Sequence, residues 1–228
     1  MPPSLILLDC DGVLVDSERI TTILLAEVAT ELGWPVSAEQ SIALFKGRDL
    51  HLVQQDIEAR LGRPIGDGFI PDYRERMARR FTDQGVPPLP GAPELLDWLD
   101  ARALPHAVAS NGPHEKMRLT LGRIGVTPRH AQGWFTRFEG RRFSAYDIDS
   151  WKPDPGLFLH AAAAMHAEPG RCVVVEDSPS GVRAGVAAGM RVIALADLTP
   201  EADLRSAGAT EVCPSLPGVL EVLRAWAG

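Results

Sequence analysis

The chain has 228 residues, of which 45% are hydrophobic, and a formal net charge of −7. That length admits one large α/β domain, or a core carrying a smaller insert, and the apolar share excludes long disordered stretches. The acidic balance argues against a nucleic-acid backbone as partner, so any anion site must be local.

Taken in order, Leu5-Ile6-Leu7-Leu8 reads as a buried strand of a parallel sheet, followed at once by DCDGVLVDSE from Asp9 to Glu18. Residues 18–32 form a helical pattern with Ile20, Ile23, Leu24, Val28 and Leu32 on one side, stopped by Gly33 and Pro35. Further helices are expected from Ser37, over Asp49 to Leu61 and over Phe69 to Phe81. No strand is expected between Asp16 and Pro88. The chain is therefore divided into a core of residues 1–15 and 86–228 and an inserted helical unit of residues 16–85.

From Pro90 onward helix and strand alternate. A helix over Pro93 to Leu99 precedes a strand at His106-Ala107-Val108-Ala109, which ends in Ser110-Asn111-Gly112. A helix over Pro113 to Ile124 and a strand over residues 141–148 follow. Asp154 and Pro155 start a helix running to Ala167, and Cys172-Val173-Val174-Val175 is a strand ending in Glu176-Asp177. In the next helix Gly181, Ala184, Gly185 and Ala188 lie close to one face, which permits near approach to the sheet. A final strand over Arg191 to Ala196 and a C-terminal helix complete a doubly wound parallel α/β sheet with an inserted helical domain.

Cys10, Cys172 and Cys213 lack zinc spacing and read as reduced thiols. Nor do His51, His106, His114, His130, His160 and His166 show metal spacing. No apolar run approaches the roughly 18 residues of a membrane span. A cytoplasmic monomer is expected, with no membrane or nucleic-acid partner.

The chemistry is concentrated at strand ends, where open α/β sheets bind ligands. Asp9 and Asp11, two residues apart after the first strand, are a layout for a nucleophile and a general acid. The stretch DCDGVLVDSE resembles the first motif of the haloacid-dehalogenase superfamily, in its phosphatase and phosphomutase branch. VASNGP with Ser110, SWKPDP with Lys152 and VVVEDSPSG with Glu176 and Asp177 resemble the remaining three motifs, in the same order. The resemblance implies a sheet order of five, four, one, two, three, and a cap formed by the helical insert.

It also implies a phosphomonoester hydrolase acting on a small phosphorylated metabolite, a sugar phosphate or sugar-acid phosphate. A phosphate monoester repels an anionic nucleophile, so its charge must be held by cations and donors. Lys152 supplies a cation, Ser110 a hydroxyl, and the segment around Asn111 amide donors. Mg2+ is expected on Asp9, Asp177 and Glu176, directly or through water, with the Asp11 main-chain carbonyl. Trp151 is singled out as a support for Lys152.

In the insert, Lys46-Gly47-Arg48 resembles the superfamily's substrate-specificity loop. Sugar phosphomutases of the β-phosphoglucomutase type share all four motifs, but carry a His where this chain has Thr21 and an Arg where it has Leu50. Those departures favour hydrolysis over isomerisation. A phosphate-binding module without activity is disfavoured, because Asp9, Asp11, Lys152 and Asp177 are all present. The stretches SNGPHEKM, AYDIDSWKPDP and FKG resemble a bacterial phosphatase group acting on sugar acids.

Overall fold

Strand β1, Leu5–Leu8, is the axis of the fold, and all four of its residues are fully buried. A computed structural model describes residues 2–46, 48–125 and 133–227. The chain divides into two units, residues 1–16 with 87–228 and residues 17–86.

Among its described residues the smaller unit holds four helices, α1 (Ser17–Leu32), α2 (Ala38–Phe45), α3 (Leu50–Leu61) and α4 (Phe69–Gln84). Ser37 and Gln40 close a capping box that starts α2, with Ser37 Oγ accepting from the Gln40 amide at 3.1 Å and Gln40 Oε1 from the Ser37 amide at 2.9 Å. Asp49 caps α3, and Gly62 ends it in the left-handed conformation. Leu24, Leu25, Val28, Phe45, Val53, Ile57, Phe69 and Tyr73 form the core of this unit. Each such side chain contributes about 1.5–3 kcal/mol on burial.

The larger unit continues with α5 (Ala92–Ala101), β2 (His106–Ser110), α6 (His114–Leu121), α7 (Gly133–Arg137) and β3 (Arg142–Ser144). Then come α8 (Gly156–Ala164), β4 (Cys172–Glu176), α9 (Pro179–Ala187), β5 (Arg191–Leu195), α10 (Glu201–Ser206), β6 (Glu211–Cys213) and α11 (Leu216–Ala227). The sheet runs β3-β2-β1-β4-β5-β6, with every neighbouring pair parallel. This is the α/β parallel architecture expected, with its strand order extended by one strand beyond β5.

Alternate strand residues serve the two faces. Leu5, Leu7, Ala107, Val174, Val192 and Ala194 join Leu157, Phe158, Ala161 and Val182 of α8 and α9 in one core. Ile6, Leu8, Val108, Val173, Val175 and Ile193 point the other way, and are fully buried as well. Gly185 lets α9 settle onto the sheet, since a Cβ there would lie 2.7 Å from Val192 Cγ2. The small-residue face read from the sequence does have this use.

Several boundaries differ from the sequence expectation. The third strand stops at Ser144 rather than residue 148, because Ser144 and Asp147 close a capping box on the 3-10 turn Ala145–Asp147. The helix after Asp154 ends at Ala164, and the chain leaves it through His166 at φ +55°. Arg191–Leu195 is not the final strand, since β6 pairs with it at the sheet edge. The short helices α7 and α10 have no counterpart in the expectation.

Candidate active site

Asp9 follows β1 directly, and its amide donates to the Val175 carbonyl of β4 at 3.0 Å, which fixes it between the two central strands. The turn behind it depends on Gly12, at φ +84°. An added Cβ there would overlap the Asp177 carboxylate, so the glycine brings the turn and the end of β4 together. Ser110 ends β2, and its hydroxyl accepts from the Gly112 amide at 3.0 Å.

Lys152 lies buried at the centre. Its Nζ donates to Asp9 Oδ1 at 2.5 Å, Glu176 Oε1 at 2.8 Å and the Ala109 carbonyl at 2.9 Å, and stands 4.9 Å from the Phe158 ring centre. Asn111 clamps the lysine's main chain, accepting from the Lys152 amide at 2.9 Å and donating to its carbonyl at 3.5 Å. Trp151 instead packs edge-on against Tyr146 and is 41% exposed, so the support expected of it falls to Asn111.

Both oxygens of Glu176 are engaged. Oε1 takes Lys152, and Oε2 accepts from the amide and the hydroxyl of Ser178, each at 2.8 Å. This geometry makes Glu176 the anchor of the lysine, and a contact through water is the one of its two expected modes toward a metal that these bonds leave more room for. Gly181 makes the arrangement possible, because a Cβ at that position would overlap the Glu176 carboxylate.

The electrostatics follow from burial and crowding. Asp9 is raised well above the ordinary carboxylate range by burial, opposed by Lys152 and reinforced by Glu176, Asp177 and Asp11. Burial works to lower Lys152, but the carboxylates of Asp9 and Glu176 outweigh it and hold the ammonium above an ordinary lysine. Lys116, on α6, donates to Asp11 Oδ2 at 2.9 Å. Lys152 thus pairs with Asp9 and Glu176, and Lys116 with Asp11.

Among the described residues, no three His, Cys, Asp or Glu side chains are arranged to hold a metal ion. A Mg2+ ion does not need three, since it binds through one or two carboxylates and keeps several waters. Asp9 and Asp177, an oxygen-only pair near enough to act on one another and brought together by the close turn at Gly12, fit that demand.

In the helical unit, the Arg48 guanidinium pairs with Asp56 and donates to the Leu44 carbonyl at 3.4 Å. Gly47 and His130 lie outside the described residues. Cys10, Cys172 and Cys213 are free and buried. None of the described helices is long and apolar enough to cross a membrane.

Sequence reasoning missed Lys116, Ser178 and the clamp made by the Asn111 side chain. The first could have been noticed as a lysine in the opening turn of the helix after the Ser110 loop, where the helix dipole disfavours a cation.

A family profile for haloacid dehalogenase-like hydrolases matches residues 3–189. The 6-phosphogluconate phosphatase of Escherichia coli strain K12 is 35% identical over 185 residues, covering 81% of this chain and 78% of that protein. A crystal structure of a haloacid dehalogenase-like protein from Agrobacterium tumefaciens strain C58 superposes with a TM-score of 0.84 at 31% identity, covering 99% of both chains. A HAD family hydrolase from Deinococcus radiodurans R1, solved with bound phosphate and sodium, does so with a TM-score of 0.81 at 29% identity, covering 99% of this chain and 96% of that one. With a family profile matched over residues 3–189 and a relative 35% identical over 81% of this chain, the chain belongs to the haloacid dehalogenase-like hydrolases.

Proposed function

We propose that this enzyme is a Mg2+-dependent phosphatase of small sugar phosphates or sugar-acid phosphates, working through a phosphoryl group carried on Asp9. The observation that carries the reading is the buried Asp9–Lys152 pair beside Asp11 at the end of β1. The similarity to a 6-phosphogluconate phosphatase supports the substrate class.

In the first step an Asp9 carboxylate oxygen attacks phosphorus in line, the bond to the ester oxygen breaks, and Asp11 gives that oxygen its proton. Lys152 and the Ser110 hydroxyl hold the phosphoryl oxygens, with main-chain amides around Asn111. In the second step Asp11 takes a proton from water, whose oxygen attacks phosphorus. The bond to Asp9 breaks, releasing inorganic phosphate and restoring the carboxylate. Mg2+, held by Asp9 and Asp177 with the Asp11 carbonyl, would supply the positive charge that lets one anion approach another.

Selection of an acidic substrate is assigned to Lys46, Gly47 and Arg48. The pair with Asp56 engages Arg48 through Nη1, and a guanidinium carries five donors, so Arg48 can keep that pair and still take part. Phosphate release from a panel of phosphorylated metabolites, with and without EDTA, tests the reading. Mg2+-dependent release abolished by Asp9→Asn is expected, whereas an Asn variant near wild-type activity rules out Asp9 as nucleophile.

A further inference from the structure

We propose that Lys116 is a positioning residue that aims Asp11 at the leaving-group oxygen, an inference that rests on the reading of Asp11 as proton donor. Lys116 is separated from Asp11 by 105 positions, yet its Nζ lies 2.9 Å from Asp11 Oδ2. Both side chains are largely shielded, at 25% and 13% exposure.

The route of the lysine is built into the loop beneath it. A Cβ on Gly112 would stand 3.2 Å from Lys116 Cδ, 3.3 Å from Ser110 Oγ and 3.8 Å from Asp11 Oδ2. The missing side chain therefore opens the path by which the lysine stem crosses the Ser110 loop to the acid. That loop is held firmly, since the Gly112 amide donates to Ser110 Oγ at 3.0 Å and its carbonyl accepts from Ser144 Oγ at 2.9 Å.

Lys116 is the third residue of α6, where its charge opposes the positive end of the helix at a cost of about 0.3–1 kcal/mol. Helix formation gives no reason for a lysine there, and the ion pair with Asp11 does. Asp11 is a short side chain in a turn, free to rotate about two bonds unless something holds it. An ammonium donating to Oδ2 restricts that rotation and so fixes the plane of the carboxyl group.

The test compares leaving groups. Alkoxide departure from 6-phosphogluconate or glucose 6-phosphate needs a proton, whereas 4-nitrophenolate departs without one. kcat/KM is the quantity to measure, because it reports the first step and not the hydrolysis of the Asp9 intermediate that all substrates share. In Lys116→Met, kcat/KM on the better of the two sugar substrates should fall by roughly 10- to 100-fold more than on 4-nitrophenyl phosphate, the scale of a misplacement near 1 Å. Lys116→Arg, which keeps the charge, should recover most of the difference.

Equal losses on both substrate types, or no loss, would overturn the positioning role, with thermal midpoints showing whether the variants are folded. Asp11→Asn is the control. If it too fails to discriminate between leaving groups, then the proton-donor reading of Asp11 is what has failed, and the two failures are told apart.

Discussion

Replacing Lys152 with Met removes the charge that holds two buried carboxylates together while roughly keeping the volume of the stem. At separations of 2.5 and 2.8 Å from Asp9 and Glu176, each attraction amounts to about 6 kcal/mol at an effective dielectric constant near 20. The desolvation of three buried ions, several kcal/mol each, offsets much of that gain. What remains after truncation is a buried Asp9 and a buried Glu176 without their cation, and breaking such a pair costs roughly 3–5 kcal/mol. The loss should depend on pH. Without the ammonium, which works to lower Asp9 against the burial that raises it, the Asp9 carboxyl binds its proton more tightly still in the folded chain, so lowering the pH neutralises it and returns stability. Urea unfolding of Lys152→Met in EDTA should therefore show a deficit of about 3–5 kcal/mol at pH 8 that shrinks toward pH 5. A variant as stable as wild type at pH 8, or one whose deficit grows on acidification, would refute this account of the site. Phosphatase activity should fall below detection in either case.

Three further outcomes follow from the same geometry. Gly181→Ala forces a methyl group into the Glu176 carboxylate. It should cost about 1–3 kcal/mol in urea unfolding and lower activity by displacing the anchor of Lys152, whereas Gly170→Ala, which meets nothing, should do neither. Asp177→Ala should raise the Mg2+ concentration for half-maximal activity and weaken metal binding by calorimetry, and unchanged binding would remove Asp177 from the ligand set. His106 is buried at the start of β2, and burial lowers it below its ordinary value of 6.5. The unfolded chain thus takes up that proton first, and the stability His106 contributes above pH 6.5 is lost as the pH falls, by at most about 1.4 kcal/mol per pH unit. Wild type should lose more than His106→Gln between pH 7 and pH 5, and parallel curves would contradict this.

Local composition was enough to reveal the central strands and the strand-end carboxylates. β1 and the Cys172–Val175 part of β4 are unbroken apolar runs because both faces and both edges are covered, so burial is written into every residue. Asp9, Ser110, Glu176 and Asp177 could be read because a polar residue ending such a run has one place to go, the crevice at the sheet edge. The edges were harder. β3 and β6 each pair on one side and carry three residues, so half-polar sequences suffice and neither the true end of β3 nor the existence of β6 stood out. Harder still were the partners within the site. Lys116 meets Asp11 across 105 positions, and Lys152 meets Asp9 across 143. Those contacts exist because β1 lies between β2 and β4, which draws loops distant in the chain to one edge, and because Gly12, Gly112 and Gly181 leave room there. Residue type announces that a carboxylate or a lysine is present. Which oxygen it faces, and hence whether Glu176 holds a metal or a lysine, depends on side-chain directions that exist only once the strands are in register.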